Sequence, residues 1–170
     1  MIFSQDRTQL RKQYLQVWQK ANRREPLEPL EELIADVIRD HPEYHPLLSN
    51  EDAAISSEFY PEHGTTNPFL HMGMHIALRE QVATDRPPGI ADITRKLLLR
   101  YRDSHEMEHH MMEPLGKVLW QAQRDQTEPD QQEYMELLRS LLKPETSLTD
   151  KTCAAATAIY TLATAIHREK

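Results

Sequence analysis

Apolar residues recur every three to four positions along almost the whole chain, the spacing of helical faces. From about Asp6 to Asn22, Leu10, Tyr14, Val17 and Trp18 share one stripe. From about Leu27 to Asp40 the stripe is Leu30, Leu33, Ile34, Val37 and Ile38, and Pro42 ends it. Residues 41–66 contain Pro42, Pro46, Pro61 and Gly64 and read as a loop with one or two short helical turns. Asn67-Pro68 then starts a helix, because Asn accepts from first-turn amides and Pro occupies a position that needs no donor. That helix runs to about Ala83.

Arg86-Pro87-Pro88-Gly89 is a strong breaker, after which Ile90 to about Gln126 reads as one long helix interrupted only by Pro114. Such a length favours antiparallel pairing with the preceding helix. Two more helices are expected, over Asp130 to Leu142 and over about 146–168. With four Gly and no alternating β-branched run, the fold class is all-α. The expected architecture is a single bundle-like domain over residues 1–170 with about six helices.

The balance of 27 acidic against 20 basic residues gives a formal charge of −7, which disfavours nucleic-acid backbones and anionic membranes as partners. A lone Cys153 forms no internal disulfide, so a reducing cytoplasm fits best. No stretch approaches the length of a membrane span, and neither export nor anchoring is expected.

Candidate chemistry lies in the histidines. Nine are present, and random placement would give about half a pair at helical i,i+4 spacing, against three here: His41/His45, His71/His75 and His105/His109. Imidazoles one turn apart point the same way and can grip one metal ion. His71 and His75 fall beside the apolar face of Leu70, Met74, Ala77, Leu78 and Val82. His105 and His109 border the stripe containing Ile93, Leu97, Tyr101, Met111, Met112, Leu115 and Leu119, and Glu108 lies within it. A carboxylate facing the core needs a proton, a hydrogen-bond partner or a cation.

The expected ligand set is therefore His71, His75, His105, Glu108 and His109, with Glu113 orienting an imidazole from the second coordination layer. Imidazoles with a carboxylate point to a divalent ion: iron, zinc or manganese. Glu106-x-x-His109 matches the element used in di-iron carboxylate bundles, but no second copy occurs. His41 and His45 are expected in the loop, since Pro42 and Pro46 oppose a regular helix there, and one of them could complete a site. His63, His110 and His167 read as peripheral, and the methionines around the histidine pairs read as packing.

Several stretches together resemble a known family. Glu25-Pro26-Leu27-Glu28, His41-Pro42-Glu43-Tyr44-His45, Thr66-Asn67-Pro68-Phe69-Leu70-His71-Met72, Pro87-Pro88-Gly89-Ile90, His105-x-x-Glu108-His109 and Leu119-Trp120-Gln121-Ala122 are similar to the uncharacterised domain of unknown function 1841 over residues of about 1–142. The resemblance implies a bacterial, cytoplasmic, helical protein and no transferable activity.

Two functional readings follow. In one, the chain is a metal-binding helical protein with no assigned reaction. In the other, it is a structural or protein-interaction module whose buried His and Glu form a metal-free hydrogen-bond network, with Arg79 or Arg102 pairing Glu108 or Glu113. A protein partner or a second copy of the chain is compatible with either reading. No nucleotide-binding Gly-rich loop, nucleophile elbow or Cys-rich zinc motif is present.

Overall fold

The computed structural model describes residues 2–59 and 67–143, with side chains from Arg7 onward. Among the described residues there are eight α-helices, one 3-10 turn and no strand, so the all-α class holds. The helices are α1 (Ile2–Asn22), α2 (Pro29–Arg39), α3 (His45–Leu48), α4 (Glu51–Ser56), α5 (Pro68–Thr84), α6 (Ile90–Tyr101), α7 (Ser104–Asp125) and α8 (Gln131–Ser140); the 3-10 turn spans Pro42–Tyr44. The expected C-terminal helix lies outside the described residues, as do His63, Cys153 and His167. None of the described helices is long and apolar enough to cross a membrane.

The chain divides into two compact units, one formed by residues up to Phe59 with Pro68–Ile76, the other continuing from Ala77. In the first, α1 packs on α2 and α4. Its core gathers Tyr14, Leu15 and Val17 with Ile34, Ala35, Val37, Ile38, Leu48, Phe69 and Met72. Leu10 and Leu30, expected on the buried stripes, are about half exposed, at 48% and 51%. On α1 the buried arc includes Arg11 instead, at 2% exposure. Its Nη1 donates to the carbonyls of Ala54 (3.1 Å), Ile55 (2.9 Å) and Ser57 (2.8 Å), and its guanidinium lies over the rings of Phe59 and Phe69. A cation thus answers the orphan carbonyls at the end of α4.

In the second unit, α7 packs against α6 and α8. The single long helix expected over Ile90 to Gln126 is two helices. Arg102 adopts a left-handed backbone conformation (φ 61°), which ends α6. Asp103 then caps α7, its side chain accepting from the Glu106 amide at 2.7 Å. Pro114, the expected interruption, lies buried inside α7, which continues through it. Proline withholds one N–H from the preceding turn, and the helix absorbs that loss. Five of the six expected helices fall among the described residues; the break at Arg102 adds one and the short helices α3 and α4 add two, which gives the eight observed.

Since a side-chain N-cap contributes about 1 kcal/mol, Asp103→Ala is expected to lower the unfolding free energy by about 1 kcal/mol, whereas Asp103→Asn retains most of it. Urea denaturation followed by circular dichroism checks both.

Candidate metal centre

The C-terminus of α2 leaves carbonyls that need donors. Two imidazoles supply them. His41 Nδ1 lies 2.7 Å from the Val37 carbonyl, and His45 Nε2 lies 2.8 Å from that of Ile38. The spacing of His41 and His45 therefore serves consecutive carbonyls at one helix end, and Pro42, which follows directly, prevents the helix from continuing. Trp18 packs on the His45 ring at 4.4 Å between centroids, which couples α1 to this corner.

His41 is fully buried, and its tautomer follows from its neighbour. A carbonyl only accepts, so Nδ1 carries a hydrogen, and in a neutral ring Nε2 would be the acceptor nitrogen. That Nε2 lies 3.1 Å from Nε2 of His71. Two facing ring nitrogens at this separation either share a hydrogen or share a cation. Two imidazole nitrogens bound to one tetrahedral ion at about 2.0–2.1 Å would be about 3.4 Å apart, so the observed spacing is within a few tenths of a ligating one.

His75, also fully buried, completes the group. Its ring centroid is 4.7 Å from that of His41 and 4.9 Å from that of His71, with edge-to-face orientations. The helix α5 places His71 and His75 one turn apart on one side. Tyr44 stacks parallel on His41 at 5.5 Å, and burial and the Glu43 charge push its phenol up to about 12, so it stays protonated near neutrality.

The second unit carries the other pair. His105 and His109 occupy the first turns of α7, half-buried, with ring centroids 4.4 Å apart. The Asp103 cap sets the start of that helix and hence the direction of both rings. Glu108, between them in sequence and 8% exposed, receives a two-pronged contact from Arg79: Nε donates to Oε1 at 2.9 Å and Nη2 to Oε2 at 3.0 Å. A guanidinium thus supplies a charge that the buried carboxylate requires. Glu113 is exposed, and His110 stacks on Tyr101 at 4.3 Å.

Of the expected residues, the structure brings His71 and His75 together in one unit and His105 and His109 together in the other, and it engages Glu108 with Arg79. His41, one of the two loop histidines that could complete a site, is the one that joins His71 and His75. The signal that marks it is an i,i+4 histidine pair straddling a helix C-terminus, with proline immediately after the first member.

Residues 6–140 match the model of the family described as domain of unknown function (DUF1841), and the chain belongs to that family. No curated protein and no solved structure matches the chain.

Removing one member of a buried ion pair costs more than removing both, because the remaining charge is left poorly compensated. Arg79→Met is expected to destabilise the protein by about 3 kcal/mol or more. Adding Glu108→Met should recover a large part of that loss, with a coupling energy of about 2 kcal/mol in a double-mutant cycle read by chemical denaturation.

Proposed function

We propose that this protein binds a divalent transition-metal ion through imidazoles. The set is His41, His71 and His75, which lie together in the first unit with ring centroids 4.9, 4.7 and 4.9 Å apart; the second unit carries its own pair, His105 and His109. The observation that carries the reading is the buried His41, its Nδ1 2.7 Å from the Val37 carbonyl and its Nε2 3.1 Å from Nε2 of His71. A hydrogen bond from the far ring nitrogen to a carbonyl is the support that metal-binding imidazoles usually have, and it raises their basicity.

An all-nitrogen set changes the expected metal. With Glu108 engaged by Arg79, the donors are neutral imidazoles, which suit zinc and iron and are poorer for manganese. No reaction is proposed. The metal-free reading draws on the same contacts, since His41, His45 and the Arg79–Glu108 pair already fix helix ends and helix register through hydrogen bonds alone.

Metal uptake separates the two readings. The full chain is stripped with a chelator, dialysed and titrated with zinc and with ferrous iron under reducing conditions, and bound metal is determined by elemental analysis. About one equivalent is expected, with a rise in melting temperature, because an ion that binds only the folded state stabilises it by mass action. His71→Ala and His75→Ala should each lose the metal while keeping their helical circular dichroism. If neither metal is taken up and the variants change stability alone, the histidines are a structural layer.

A further inference from the structure

A second candidate site lies wholly within the unit that starts at Ala77. A cavity of about 650 Å³ opens between the end of α5, the turn after it, α7 and the start of α8. Cavities that hold small organic ligands typically measure about 300–1,000 Å³. One wall is apolar, formed by Pro87, Pro88, Leu115, Val118 and Leu119. Leu119 was expected on a buried stripe, yet it is 37% exposed.

The polar groups of the cavity differ in how far they are already engaged. Tyr134, 3% exposed, donates its hydroxyl to Gln81 Oε1 at 2.8 Å, and burial raises its phenol so that it remains a donor. This bond fixes the Gln81 amide. Among the described residues its Nε2 has no hydrogen-bond partner, and it is left as a donor. Arg86, exposed on the same rim, makes no ion pair among the described residues. Asp130, also in the lining, is engaged, its Oδ1 accepting from the amides of Gln132 (2.9 Å) and Glu133 (3.0 Å) at the start of α8. Glu128 is exposed and makes no ion pair among the described residues.

We propose that this cavity binds a small zwitterion with an apolar body, of the class of a hydrophobic amino acid or short peptide. Its carboxylate is received by Arg86 and the Gln81 amide, its ammonium by Glu128, and its side chains by the Leu115–Leu119 wall. A guanidinium with an adjacent amide donor suits a carboxylate. An unengaged carboxylate, Glu128, in the lining of the same cavity disfavours a simple anion and favours a ligand that also carries a positive group. The site is independent of the histidines.

The test uses the full chain labelled with ¹⁵N and the dipeptide leucylphenylalanine, its C-terminal amide and its N-acetyl derivative, each titrated by amide chemical shifts. The free dipeptide is expected to move the amides of Gln81, Arg86, Val118, Leu119 and Tyr134. Each blocked form should bind about tenfold more weakly, the size of one lost charged hydrogen bond. Arg86→Gln should abolish the preference for carboxylate over amide and leave the preference for free amine, and Glu128→Gln should do the reverse. Both side chains are exposed, so neither change threatens the fold. Absence of shifts at these residues, or equal binding of all three ligands, overturns the proposal.

Discussion

A buried imidazole has two ring nitrogens to satisfy, and the way His41 satisfies them governs the first unit. One nitrogen closes the end of α2 by donating to Val37, and this single contact fixes both the tautomer and the orientation of the ring. The other nitrogen then has to face inward, where the first half of α5 supplies His71 and His75. Turning the ring would leave a helix carbonyl unanswered in a buried place, a cost of about 1–3 kcal/mol. The geometry of the three imidazoles is therefore set by a helix-capping requirement before any ligand is considered. Preorganisation of this kind favours metal binding, because the rings need not be ordered when the ion arrives.

The second unit uses the same economy with different groups. Asp103 begins α7 by accepting from Glu106, and that start places His105 and His109 on successive turns. Glu108 lies on the buried face of the same helix, where an isolated charge would be costly, and the forked contact from Arg79 offsets it. The carboxylate that its place on the buried helix stripe offers as a metal ligand is thereby also held in an ion pair. The proposed function rests on imidazole nitrogen and for that reason leans toward zinc or iron.

Much of this was legible in the chain. The spans of α1, α5 and α8 follow from apolar periodicity and from Asn67-Pro68 and Asp130, whose capping chemistry is local. The break between α6 and α7 was hidden because Tyr101-Arg102-Asp103-Ser104 contains neither Gly nor Pro. Its signal was Asp103 three residues ahead of Glu106, an N-cap pattern, while Pro114 drew attention to the wrong place. His41 was obscured for a related reason. Proline next to a histidine argues against a helix running through it, which is correct, yet the residue just past a helix end is also well placed to answer that helix's carbonyls. Arg11 shows the limit of stripe counting, since a cation on α1 is buried to close α4, a non-local demand with no periodic signature.

The most direct measurement is X-ray absorption at the zinc edge of the zinc-loaded full chain. The account predicts nitrogen neighbours at about 2.0–2.1 Å, with the outer-shell scattering of several imidazole rings, and a reduced imidazole signal in His41→Ala. A first shell of oxygen alone, without imidazole scattering, would contradict it and leave the histidines as caps and core.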